Sequence, residues 1–393
     1  MDDLSPSQNG LASAAPAVDL GDLRRRFAAI RDAMLRTYVE RDDAVECIML
    51  SALCQQHPLL LGPPGTGKSH LIGALTRCIS GARYFSTLLT KFSTEDEVCG
   101  PAKLSALKQD RFERSTDGHL PGCEVAFLDE TFKANSAVLN STLSVLNERT
   151  YKGKPSPLRM ACGASNEMPE DETLGALFDR FLLRYVVSYV DSPHAWKGML
   201  KARPSFTPPA TITVAEWDAV TRAVGAVVIP DAIYDEMERL KALLTRDGVI
   251  VSDRRWIQLC GVLQAAAWLD GAPEVEKDHL YALRFGLWSK QAEIGPVEAT
   301  LKTVDLGPAR EALDIIDDAL RAYEARPTDP AAYYAAIPML MTTLASAGKK
   351  VQQYAGKLTR RAHEKVERKV AALKAANQQL KEDLVSQRYS GMP

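Results

Sequence analysis

Short apolar runs alternate with helical patterns over the first half of the chain. Runs at 57–61 (HPLLL), 84–89 (YFSTLL), 124–128, 160–165 and 181–190 (FLLRYVVSYV) read as strands. Stretches 20–45, 44–55, 69–78 and 137–148 read as helices. In the first of these, Leu23, Phe27, Ile30, Met34 and Leu35 recur at helical spacing among Arg and Asp residues. Strands alternating with helices predict a parallel α/β sheet. Between residues 89 and 124 the alternation is interrupted by TKFSTEDEVCGP and KLSALKQDRFERSTDGHLPGCE. Turn residues break up the apolar runs there, which predicts an inserted hairpin or loop.

From about residue 191 the pattern changes. Pro193, Pro204, Pro208 and Pro209 mark a linker, and 214–225, 230–245, 253–270 and 277–292 then read as helices with little strand character. Residues 295–308 read as a Gly/Pro-containing break, 309–325 as a helix, and 327–338 as a Pro-rich turn. A long helix is expected from there to about 387. In it Val366, Leu373 and Leu380 are spaced by seven, as are Val370, Asn377 and Leu384. That seam suits either a helix packed on its neighbour in a hairpin or a short coiled coil that recruits another chain. The expected organisation is a disordered leader at 1–19, an αβα nucleotide-binding domain at 20–190, an all-α lid at 191–294 and a helical extension at 295–393.

The most specific chemistry lies at Gly62-Pro63-Pro64-Gly65-Thr66-Gly67-Lys68-Ser69, which fits GxxxxGK[ST] at every fixed position. Its glycines let backbone N–H groups face a polyphosphate, Lys68 would reach the β- and γ-phosphates, and Ser69 would ligate Mg²⁺. The motif sits between a strand and a helix, as phosphate binding at a helix N-terminus requires, and His70 extends the binding set. The run Val125–Asp129 continues into Glu130 and ends a strand in two carboxylates. Asp129 would share the Mg²⁺ shell with Ser69, and Glu130 would polarise the attacking water. Asn166 closes the next strand with an amide that both donates and accepts, suited to positioning that water. Arg180, in FDRF, is a candidate to stabilise developing charge on a neighbouring subunit's γ-phosphate. It is equally placed to pair with Asp179. Arg254 opens a helix in SDRRW, where a cation opposes the helix dipole and points to an external anion.

Composition narrows the rest. The 393 residues are 46% hydrophobic and 25% charged with a net charge of −2, an ordinary globular balance without the basic bias of a nucleic-acid binder. Seven scattered cysteines form no CxxC pair, which argues against structural metal and for a reducing cytoplasm. No run reaches membrane-spanning length, and the N-terminal residues carry no secretory signal pattern.

Together GPPGTGKS, FLDE, ASNE, LFDRFLLR and SDRRW resemble an AAA+ ATPase of the MoxR family, with most similarity to its RavA-like branch. The stretch from FSTEDEVCGP to LSVLNER carries the specific part of the likeness, which covers about residues 20–290. The resemblance implies Lys68 and Ser69 as Walker A, Asp129 and Glu130 as Walker B, and Asn166 as sensor 1. It implies Arg180 as arginine finger and Arg254 as sensor 2, with Arg184 and Arg255 as adjacent alternatives. It further implies ATP and Mg²⁺ as ligands, a homo-hexameric ring, and chaperone-like remodelling of a protein client with a von Willebrand factor A partner. The β-rich C-terminal module of that branch is not legible here, so its partner contacts do not transfer. A DNA-acting AAA+ motor is the alternative, and a ring that binds ATP without hydrolysing it is a third reading, disfavoured by Glu130.

Overall fold

The computed structural model describes residues 19–169, 174–191, 193–202, 205–303, 308–327, 329–358 and 360–390. The expected leader thus falls almost wholly outside the described residues. Five parallel strands form the main sheet: β1 His57–Leu61, β2 Tyr84–Leu88, β3 Val125–Asp129, β4 Met160–Ser165 and β5 Phe181–Val186. Their spatial order is β2-β3-β4-β1-β5. The central strands are buried throughout or nearly so, as near-continuous apolar runs require when both faces are covered. Edge strand β2 instead alternates, with Phe85 buried between exposed Tyr84 and Ser86. The chain leaves β1 for the far edge, returns through β3 and β4, and crosses β1 to reach β5. That reversal places a ligand crevice at the carboxyl end of β1.

Helices α1 (Leu20–Thr37), α2 (Asp42–Leu53), α3 (Lys68–Arg77) and α4 (Ser136–Glu148) accompany the sheet. The expected helix over 20–45 ends early, at Thr37, and the one expected over 44–55 begins at Asp42. Tyr38–Arg41 lie between them, with Glu40 in the left-handed region at φ 53°. Helix α2 is buried almost all round because it lies between β1 and β5 on one side and the lid on the other. The expected insertion holds two short helices, Glu95–Cys99 and Leu104–Leu107, closed by a bridge between Ala102 and Arg114. A second small hairpin, Thr150–Tyr151 with Lys154–Pro155, packs on it through Glu95, which accepts from Tyr151 Oη at 2.7 Å and Ser141 Oγ at 3.0 Å.

The lid comprises α5 (Val214–Gly225), α6 (Asp231–Arg246), α7 (Asp253–Asp270), a 3₁₀ run at Lys277–Phe285, and α8 (Ile294–Thr303). Helix α8 occupies residues 295–303 of the expected break at 295–308, of which 304–307 lie outside the described residues, and the expected helix over 277–292 is 3₁₀ for most of its length. Strand β5 also stops at Val186 rather than continuing to 190. Lid and sheet domain share one apolar cluster. Trp217 Nε1 donates to Ala52 O at 2.7 Å, and Arg26 pairs with Glu216 at 2.5 Å.

Three C-terminal helices, α9 (Pro308–Glu324), α10 (Pro330–Gln352) and α11 (Arg360–Ser390), build a second apolar cluster. Two expectations fail here. Helix α10 begins inside the anticipated turn, with Pro330 at its first position. It also runs through Pro338, because burial of Ile337, Leu340 and Leu344 outweighs an interior proline's cost of about 3 kcal/mol. The single long helix is broken at 353–358. The heptad seam faces inward: Val366, Leu373 and Leu380 are buried, and α11 packs on α9 and α10 of its own chain.

Candidate nucleotide-binding site

The phosphate loop leaves β1 at its carboxyl end. Gly62, at φ 136°, passes so close to the sheet that a Cβ would lie 2.0 Å from Val187 O. Gly65 and Gly67 also have positive φ, yet open space lies where their Cβ atoms would be. The first glycine is therefore required by packing, the other two by backbone curvature. Thr66 closes the loop by donating to Pro63 O at 3.0 Å. Lys68, the first residue of α3, folds back over the loop. It donates to Gly62 O, to Pro63 O at 3.1 Å and to Asn166 Oδ1 at 3.1 Å. Burial lowers its pKa, against the opposing pull of Asp129 and Glu130. Ser69 and His70 follow, both exposed.

Asp129 and Glu130 lie at the carboxyl end of β3, aligned with the phosphate loop across β4. Glu130 adopts φ 50°, ψ 44°, a left-handed conformation that costs roughly 1 kcal/mol. It interrupts the alternation of the strand, so consecutive carboxylates need not face opposite ways. Asp129 Oδ1 accepts from Glu130 N at 3.0 Å. Asn166 Nδ2 donates to Glu130 Oε1 at 2.5 Å. Glu130 Oε2 is buried without a hydrogen bond, although Lys133 Nζ stands 3.1 Å away as an ion pair. Two carboxylates at the strand end, an open glycine cradle and a lysine satisfied by its own loop fit a site built for a triphosphate and its cation.

The four candidate arginines gather elsewhere. Parallel pairing sets His57 against Phe181 and Leu61 against Val186, so Arg180 lies at the amino end of the sheet. That is more than one strand length, about 20 Å, from the start of the phosphate loop. Arg180 is 3.6 Å from Asp179, and Arg254, exposed on α7, is near enough to depress its pKa in addition to the larger effect of burial. Arg184 and Arg255 differ from these two. Arg184 is fully buried, its guanidinium 3.8 Å from the Phe178 ring centre, and donates to the carbonyls of Phe178, Phe181 and Trp288. Arg255 is also buried and bonds Asp179 and Gly286 O. Arg180 and Arg254 are thus the members of each pair available to an external anion.

Sequence reasoning missed several contributors. Arg41 is buried and donates to Thr66 O at 3.1 Å, and Tyr189 Oη donates to Pro64 O at 3.2 Å. Neither lies in a recognisable motif. Thr131 Oγ1 accepts from Ala164 N and donates to Leu128 O, holding the ends of β3 and β4 together. A polar residue directly after the paired carboxylates was the available signal.

A five-stranded parallel sheet with its phosphate loop at the switch point, carboxylates on β3 and an asparagine ending β4, all capped by a helical lid, defines a P-loop ATPase of the AAA+ class. Residues 25–209 match the family described as the MoxR domain in the MoxR-vWA-beta-propeller ternary systems, and residues 232–301 match an AAA lid domain. The chain belongs to the MoxR family of AAA+ ATPases. It is similar to two uncharacterized proteins of Methanocaldococcus jannaschii. One is 35% identical over 75% of this chain and 78% of its own length, the other 36% over 73% and 79%. A structural protein of Acidianus two-tailed virus is 27% identical over 46% of this chain and 30% of its own. The fold also resembles a crystal structure from Cytophaga hutchinsonii, named provisionally as an ATPase, with a TM-score of 0.58 at 14% identity. That likeness covers 72% of this chain and 96% of the other.

Proposed function

We propose that this chain hydrolyses ATP at a site shared by two copies in a homo-hexameric ring. The cycle remodels or activates a protein partner carrying a von Willebrand factor A domain, in the cytoplasm. One observation carries the reading: Lys68, Glu130 and Asn166 converge at one end of the sheet, while Arg180 and Arg254 sit together at the other. A subunit's own arginines start more than a strand length from its own phosphate loop. They suit the triphosphate of the next copy. The partner rests on the family description, which names a vWA protein and also a β-propeller protein.

Lys68 exchanges its carbonyl acceptors for β- and γ-phosphate oxygens. Ser69 and Asp129 would hold Mg²⁺, which when bound neutralises charge on the phosphates. Residues 62–69, with His70, cradle the chain of phosphates. Asn166 orients a water, and Glu130 takes its proton as the water oxygen bonds to the γ-phosphorus and the β–γ bridging bond breaks. ADP and phosphate leave. Arg180 and Arg254 of the neighbouring copy offset the charge that spreads over the transferred group.

The test is the dependence of rate on assembly. ATP turnover per subunit, measured over a dilution series alongside the molecular mass in solution, is expected to fall as the ring dissociates. Monomeric protein that turns ATP over as fast as the assembly refutes the shared site.

A further inference from the structure

We propose that Asp179 is a positioning residue that locks Arg180 of the sheet domain and Arg254 of the lid into one unit, so that lid orientation sets the arginines a subunit offers its neighbour. The proposal rests on Arg180 acting in the neighbour's site.

Asp179 occupies the tight turn between helix Gly175–Phe178 and β5, where its N–H donates to Gly175 O at 2.9 Å. Its Oδ1 accepts from Arg255 Nη2 at 2.5 Å and lies 3.9 Å from Arg184 Nη2, while its Oδ2 lies 3.6 Å from Arg180 Nη1. Arg255 stands in the first turn of α7, next to Arg254, and also donates to Gly286 O at 3.2 Å. Arg184 makes the reciprocal link from the sheet, donating to Trp288 O at 2.5 Å and Phe178 O at 3.1 Å. Two buried guanidiniums therefore staple lid backbone to the turn that bears Arg180. The backbones themselves approach closely at this seam, where a Cβ on Gly286 would lie 3.3 Å from Leu182 O and 2.4 Å from Leu259 Cδ2.

Charge explains why a carboxylate is needed. Arg180, Arg184 and Arg255 crowd about Asp179, and Arg254 lies within the field of Arg180. Arg180 and Arg254 repel each other. Removing the Asp179 charge releases Arg180 from its ion pair and leaves that repulsion unopposed at Arg180. Arg180 Nε is buried without a hydrogen bond, so little else fixes that side chain. A lid that tilts takes Arg255 with it, Arg255 takes Asp179, and the Arg180 turn follows.

The experiment is a double-mutant cycle on the full-length assembly with Asp179→Asn and Arg180→Ala. Asp179→Asn is expected to lower kcat about 10- to 100-fold with KM for ATP within about twofold, because the subunit's own phosphate loop is untouched. In the Arg180→Ala background it is expected to cost no more than about threefold, because only Arg254 is left to be displaced. Losses that multiply, or a wild-type rate for Asp179→Asn beside a crippled Arg180→Ala, overturn the clamp alone. A wild-type rate for Arg180→Ala overturns the reading of that residue instead. Should Asp179→Asn fail to fold, Arg255→Lys, which keeps the charge and loses the fork, carries the same cycle with the same outcomes.

Discussion

Asn166 holds Glu130 through a 2.5 Å hydrogen bond while its carbonyl oxygen accepts from Lys68, so one amide joins the proposed base to the phosphate-binding lysine. Replacing Glu130 with Gln preserves a group that can bond Asn166 but cannot take a proton. Turnover is expected to drop at least about 100-fold with ATP affinity retained. Phosphate release and equilibrium nucleotide binding check this, and undiminished turnover refutes Glu130 as the base.

The two arginines that the sequence leaves as alternatives separate by experiment. Arg184→Ala removes a buried cation from three backbone carbonyls and is expected to destabilise the protein by roughly 3 kcal/mol. Arg180→Ala, on a partly exposed side chain, is expected to leave the melting temperature almost unchanged and to lower turnover about 1,000-fold. Thermal unfolding alongside rate measurements distinguishes them. The reverse pattern would move the anion-facing role to Arg184.

The Arg26–Glu216 pair ties α1 to the lid and gives that contact a pH dependence. The Arg26 hydrogen bond pulls the Glu216 carboxyl down to about 2, with burial opposing. A depressed folded pKa means stability that is present above the ordinary glutamate value and lost as pH falls towards 2. Glu216→Gln is expected to cost about 1 kcal/mol at pH 7, after allowance for solvent around a partly exposed pair. Wild type and variant should converge between about pH 5 and pH 2. A gap that stays constant over that range removes the pair from the account.

How much could be read beforehand follows from where information is local. The phosphate loop and the carboxylates after β3 are contiguous, so GPPGTGKS and FLDE placed them at once. Helices with a strong apolar stripe, such as α5 and α6, were also legible. Arg184 and Arg180 could not be separated by burial, because it depends on Trp288 and Phe178 arriving from other parts of the chain. Asp179 was visible as a partner for Arg180, but its bond to Arg255 spans 76 positions. The C-terminal helices were misjudged where Pro338 suggested a turn, since a local rule yielded to packing against α9 and α11.

Asn377 provides the last test, and it bears on the seam of α11. Asn377 Oδ1 is buried without a hydrogen bond, one turn from buried Leu373 and Leu380. An amide oxygen stripped of water with nothing in return costs about 1–3 kcal/mol. Asn377→Leu removes that cost and extends the buried run of Leu373 and Leu380, so unfolding is expected to become harder by roughly 1–2 kcal/mol with the mass of the assembly unchanged. Thermal unfolding and solution mass together decide the point. If the variant is instead less stable, or its assembly changes size, the amide has a partner supplied by another chain, and the inward packing of α11 is not the whole use of its heptad seam.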